Sequence, residues 1–293
     1  MNGPIIKCEQ LGKRFGKLEV LRSVDLTIPQ GAIVGLLGSN GSGKSTLIKC
    51  LLGLLRISSG TASVLDENPW DLSAAGKNRL GYVPQVVHLY PWMKVQQVVD
   101  YTSAFYERWD FKWTLEVMQM LEVDGSKWIK TLSTGQLQRL AIILAFGHRP
   151  DLLVLDEPAA SLDPGGRRAL MRSLLEMNRD QGQTVLFSTH ITSDLERVAS
   201  HVAILGNGLV EYFGEIDELK ESVKRIRIQS DQDLPTQFTI PGILHSNVTG
   251  STAVVSLAKC SDSLISDIEK QWSATVTVED LNLEEIFLEM SDV

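Results

Sequence analysis

The stretch AIVGLLGSNGSGKSTLIKCLLGLL, residues 32–55, decides how this chain is built. Residues 32 to 37 are continuously apolar, as in a buried strand, and Leu47, Ile48, Leu51, Leu52 and Leu55 then recur at helical spacing. Between the two lies Gly38-x-x-x-x-Gly43-Lys44-Ser45, the P-loop pattern, with Ser39, Asn40, Gly41, Ser42 and Thr46 filling out the loop. The residue types have physical reasons. Gly38, Gly41 and Gly43 let the backbone wrap a phosphate, and the N–H groups then converge at a helix N-terminus. Lys44 adds a flexible positive charge for the outer phosphates, and Ser45 offers a hydroxyl to Mg²⁺. A glycine-rich strand-to-helix turn without a ligand does not explain the lysine.

A P-loop is common to kinases, GTPases, helicases and transport ATPases, so a second feature must narrow the class. LLVLDEP, residues 152–158, reads as an apolar strand ending in Asp156 and Glu157. That places two carboxylates at the C-terminal edge of a parallel sheet, where doubly wound folds collect their ligands. Asp156 is expected on the metal side, holding Mg²⁺ through its water shell, and Glu157 as the general base that polarises the attacking water.

KTLSTGQLQRLAI, residues 130–142, carries no acid, nucleophile or metal ligand, yet it is patterned. Ser133 followed three residues on by Gln136 fits a capping box, and Leu137, Leu140, Ile143 and Leu144 predict a helix over 136–146 with one buried face. A capped helix start beside a glycine is also an anion site.

Taken in order, the P-loop at 38–46, LSTGQ at 132–136 and LVLDEP immediately downstream resemble the ATP-binding cassette (ABC) family, in which LSTGQ is close to the signature motif. The likeness continues with Gln85 in YVPQ, SLDP at 161–164 and His190 in TVLFSTH, and covers residues 1 to about 220. It implies an α/β P-loop cassette with a mixed-sheet core, an antiparallel β subdomain and a helical subdomain at about 86–145. It also implies an ATPase using ATP and Mg²⁺. Phe15 then occupies the slot that stacks on adenine, with Val20 on the same face; Gln85 reaches the metal and the attacking water; His190 bonds the γ-phosphate and is linked to Glu157. Ser133, Gly135 and Gln136 contact the γ-phosphate held by another protomer, and Asp163 lies where cassettes meet across the dimer. Thr134 departs from the glycine more usual in the family and adds β-branched bulk beside the phosphate.

The remaining composition fits these implications. A net charge of −8 and mean hydropathy near zero suit a globular protein and disfavour contact with nucleic acid. Cys8, Cys50 and Cys260 are widely spaced and odd in number, which suits a reduced cytosolic compartment and structural roles. The N-terminus lacks the apolar run of a secretory signal, and no segment approaches the ~20 apolar residues of a membrane span. Separately encoded permease subunits are therefore expected, with this chain on the cytoplasmic face of the membrane as one half of a homodimer or heterodimer. The segment between Gln85 and Ser133 is crowded with rings, among them Tyr90, Trp92, Tyr101, Phe105, Tyr106, Trp109, Phe111 and Trp113, expected to be mostly local core with one or two left for docking the permease.

After VAILGNGLVEYFG, whose Asn207-Gly208 marks a tight hairpin, the composition shifts. AVVSL (253–257) and ATVTV (274–278) read as strands, and 261–270 and 283–290 as short helices, giving a small α+β domain over 221–293 after a cassette over 1–220. The ending VEDLNLEEIFLEM resembles the tails of exporter cassettes. Export is thus the leading expectation, with an importer's ATPase and a soluble ABC ATPase of translation or DNA repair as alternatives.

Overall fold

β1 (Ile6–Phe15) and β2 (Leu18–Ile28) bury Ile6, Cys8, Leu11, Leu21, Val24, Leu26 and Ile28 and turn their polar residues outward. In the computed structural model of the protein, residues 3–235 and 239–291 are described, and the chain divides into two units, Met1–Phe213 and Gly214–Val293.

In the first unit the apolar run 33–37 becomes β3 (Ile33–Leu37), buried at all five positions. After it comes α1 (Lys44–Leu51), and β4 (Ser59–Val64) then joins the first two strands in an antiparallel sheet of order β2-β1-β4. Leu47, Ile48 and Leu51 of α1 lie in one core with Leu26, Ile28, Val34, Leu36 and Leu186, so the helix joins the two sheets. The short α2 (Ala74–Asn78) leads into β5 (Leu80–Val83). The helical part follows: α3 (Val95–Ser103), α4 (Phe111–Met120) and α5 (Thr134–Phe146), with Val98, Val99, Val117, Leu121, Ile143 and Phe146 buried.

The chain returns through β6 (Leu152–Leu155), α6 (Pro164–Gln181), β7 (Thr184–Thr189), α7 (Thr192–Val198), β8 (His201–Gly206) and β9 (Leu209–Glu215). The central sheet has the order β5-β6-β7-β3-β8-β9, parallel from β5 through β8. Asn207 and Gly208, at φ of 49° and 76°, form the two-residue turn that adds β9, as expected for Asn-Gly. This order puts the C-terminal ends of β6, β7 and β3 side by side.

The second unit begins with α8 (Ile216–Ser222) and contains β10 (Lys224–Ser230), β11 (Ile243–Thr249), β12 (Thr252–Leu257), α9 (Asp262–Trp272), β13 (Ala274–Asp280) and α10 (Leu283–Ser291). Its antiparallel sheet has the order β11-β12-β10-β13 around a core of Ile226, Ile228, Val255, Leu257 and Ile268. The α+β composition expected of the tail is what forms.

One expectation fails. Of the rings named between Gln85 and Ser133 only Trp113 is buried; Tyr106 and Trp109 are half-buried, and Tyr90, Trp92, Tyr101, Phe105 and Phe111 are exposed. Aliphatic side chains already fill the space between the helices, so the rings stack on one another outside it. Tyr90 meets Tyr101 edge-on at 5.8 Å, Tyr101 meets Phe105 at 5.1 Å, and Trp92 leans on Tyr90 at 5.4 Å.

Candidate functional site

The shape of the P-loop backbone follows from its own residues. Gly43, the residue before α1, has φ of 109°, a conformation closed to L side chains, and a Cβ there would also press on Leu21 at 2.9 Å and on Val20. Val20 therefore sits against the loop. The first N–H groups of α1, from Lys44, Ser45 and Thr46, have no helical carbonyl to reach and face outward from the helix start. Ser42 Oγ is buried with no partner, a polar atom already desolvated among groups that suit a phosphate oxygen. Lys44 Nζ donates to the carbonyls of Gly38 (2.7 Å) and Ser39 (3.2 Å), which folds the ammonium over the loop.

The acidic pair stands opposite. β6 ends at Leu155, so Asp156 and Glu157 are the first residues beyond the strand and not its last, a shift that frees both side chains from the pleat. Asp156 N–H donates to the carbonyl of Val83 at 2.9 Å. Its Oδ1 accepts from Ser45 Oγ at 3.0 Å and from Ser188 Oγ at 2.8 Å, joining the P-loop helix to the acid strand. Burial, and then the Asp156 carboxylate, push the neighbouring Tyr82 phenol up to about 12. Glu157, 8% exposed, places Oε1 3.6 Å from Lys44 Nζ and Oε2 2.8 Å from His190 Nδ1. A buried carboxylate is thus held between an ammonium and an imidazole, as desolvation requires.

The remaining expected residues are arranged less completely. Phe15 is 46% exposed near the end of β1, its ring open except for Lys13 Nζ at 4.8 Å, as a stacking platform must be. Gln85 is exposed in the loop after β5 and has no side-chain hydrogen bond among the described residues; the structure does not bring it to the carboxylates. Ser133 caps α5 as its capping box predicts, the helix starting two residues before the predicted 136, with Gln136 N–H donating to Ser133 Oγ (3.3 Å) and Ser133 N–H to Gln136 Oε1 (3.0 Å). Thr134 is the first, exposed residue of that helix. Gly135 packs so closely that a Cβ would lie 2.7 Å from the Ser161 carbonyl oxygen. Asp163 caps α6 and pairs with Arg139 of α5, which holds its carboxyl below the usual range. No hydrogen bond among the described residues joins Ser133, Gly135, Gln136 or Asp163 to residues 38–46. Ser188, which sequence reasoning passed over, is fully buried in the middle of this network.

A parallel sheet with a phosphate loop, an adjoining acid pair and a histidine at neighbouring strand ends defines a P-loop nucleotide-binding cassette. The family profile described as ABC transporter matches residues 21–160. YhaQ of Bacillus subtilis (strain 168), an ABC transporter ATP-binding protein, is 30% identical over 97% of this chain and 98% of its own. LnrL, the linearmycin resistance ATP-binding protein of the same organism, is 27% identical over 90% of this chain and 83% of its own. CysA of Chlorella vulgaris, named a probable sulfate/thiosulfate import ATP-binding protein, is 33% identical over 74% of this chain and 93% of its own. Among solved structures, the ATP-binding cassette MJ0796, in a dimeric post-hydrolysis state bound to ADP and Pi, superposes with a TM-score of 0.65 at 25% identity, over 72% of this chain and 98% of that one. The chain belongs to the ABC transporter family and is an ATP-binding subunit of it.

Proposed function

We propose that this ABC ATPase subunit drives export through separately encoded membrane subunits, working as a head-to-tail dimer around two ATP molecules with Mg²⁺. Residues 1–220 act as the cassette and 221–293 as an accessory domain, and the whole sits on the cytoplasmic face of the membrane. Among the described residues no helix is long and apolar enough to cross a membrane, which accords with partners that supply the spans.

The observation that carries the reading is the contact chain Lys44–Glu157–His190 beside a loop fitted to phosphate. Bound nucleotide supplies the scissile phosphoanhydride, and Mg²⁺ neutralises its oxygens. Within the chain, Glu157 takes the proton of the attacking water, His190 orients Glu157 through Oε2, and Lys44 and the N–H groups of α1 bind phosphate. Ser45 and Asp156 are the protein groups that would hold the metal, with Gln85 swinging in to complete its shell. Phe15 and Val20 take the base. Ser133, Gly135, Gln136 and Asp163 serve the partner's nucleotide, which suits their separation from the P-loop of their own chain. Closure on ATP and opening on phosphate release then move the permease.

Export rests on the resemblance of the ending VEDLNLEEIFLEM to the tails of exporter cassettes, and likeness to LnrL, a resistance protein by its name, over 90% of this chain accords with it. The likeness to CysA, an import protein by its name, keeps import as the second reading, although it covers only 74% of the chain. The purified protein should release phosphate from ATP only with Mg²⁺. Glu157→Gln should bind ATP, lose at least about a hundredfold in turnover and accumulate as an ATP-bound dimer in sedimentation. Undiminished turnover in that variant would sink the mechanism. Co-purification of the permease, followed by transport in vesicles of known orientation, decides direction.

A further inference from the structure

We propose that Ser188 is the positioning residue of the acidic pair: one hydroxyl, on the strand between the P-loop and the acids, orients the Asp156 carboxylate and pins the peptide of Glu157. Ser188 lies within β7, which pairs with β6 on one side and β3 on the other, and it is fully buried. Its Oγ donates to Asp156 Oδ1 at 2.8 Å and accepts the Glu157 N–H at 2.8 Å. Its one donor and one of its two lone pairs are committed, so the hydroxyl cannot rotate away without losing a bond.

Each bond has its own consequence. Asp156 Oδ1, already accepting from Ser45 Oγ, takes a second hydroxyl from Ser188. Oδ2 is then the oxygen left without a protein donor among the described residues, and so the one that would accept from the water shell of a bound metal. Glu157 has φ of 50°, a left-handed conformation that L-residues rarely adopt, and its N–H would otherwise be a buried orphan. The Ser188 oxygen satisfies that N–H and so holds the peptide in the turn that aims Glu157 at Lys44 and His190. Ser188 is fully buried and acts through the two acids.

This inference rests on the proposed ATPase activity, and the experiment separates the two. Full-length wild type, Ser188→Ala, Ser188→Cys and Ser188→Thr are compared for melting temperature, for Mn²⁺ affinity in the presence of ADP by electron paramagnetic resonance, and for kcat and KM with ATP. If the wild type has no Mg²⁺-dependent activity, the proposed function has failed, and the Mn²⁺ titration still judges Ser188. Ser188→Ala should weaken Mn²⁺ binding and lower kcat, each about 10–100-fold, while KM for ATP stays near wild type. Ser188→Cys, of similar shape but a weak donor, should fall with it, and Ser188→Thr should restore both values. Wild-type Mn²⁺ affinity and kcat in the folded Ala or Cys variant overturn the proposal. So does a loss that Ser188→Thr, melting at the wild-type temperature, fails to restore.

Discussion

Glu157 concentrates the demands of the site in one residue. Its backbone is left-handed, a state costing on the order of 1–3 kcal/mol, and its carboxylate is buried. It persists because Lys44, His190 and Ser188 each satisfy a different part of it. His148 is the contrasting case, a buried histidine outside the site. Its ring stacks on Tyr106 at 3.9 Å, Nε2 donates to the Leu80 carbonyl, and burial pushes the imidazole from 6.5 down to about 4. Between those values the unfolded chain binds a proton that the folded chain refuses. Stability is therefore fully present above pH 6.5 and is lost as the pH falls toward 4, by up to about 3 kcal/mol. Urea midpoints measured from pH 7.5 to pH 4.5 should fall for the wild type and flatten for His148→Phe, which keeps the stacked ring; identical slopes would refute the assignment.

At the scale of elements, α5 carries two functions in its first turn. The capping box alone predicts that Ser133→Ala costs about 1 kcal/mol and leaves turnover intact. A phosphate-facing role predicts the reverse balance: a melting temperature lower by a few degrees at most and ATPase activity nearly abolished. We expect the second outcome, read from melting curves and turnover on one preparation, with Thr134→Gly near wild type in both. Gly135 is a poorer probe, because any side chain meets the Ser161 carbonyl within the same subunit and disturbs the segment leading to Asp163. The Arg139–Asp163 pair ties these two segments together from the side.

At the scale of the molecule, the exposed rings are the feature that the proposed partnership best explains. Trp92 and Phe105 are 68% and 65% exposed, and a stacked aromatic row of this kind marks a contact surface. Replacing both with alanine should leave the ATPase activity of the isolated subunit within about twofold, since neither supports the core, and should abolish co-purification with the permease from membranes. Retained co-purification would place the contact elsewhere. The sequence by itself determined the strand–loop–helix of 33–51, the acid pair, the cap at Ser133, the Asn207-Gly208 turn and the α+β tail. Each depends on local periodicity or on backbone chemistry confined to a few residues. Strand order, which brings β6, β7 and β3 together, joins Asp156 to residues 32 and 111 positions away, and no local pattern encodes it. Ser188 was illegible for that reason: a small hydroxyl in an apolar strand looks like packing until the neighbouring strand supplies Asp156 and Glu157. The rings were misread because hydrophobicity measures what a side chain gains by burial, whereas only the tertiary structure shows whether aliphatic neighbours have already taken the space.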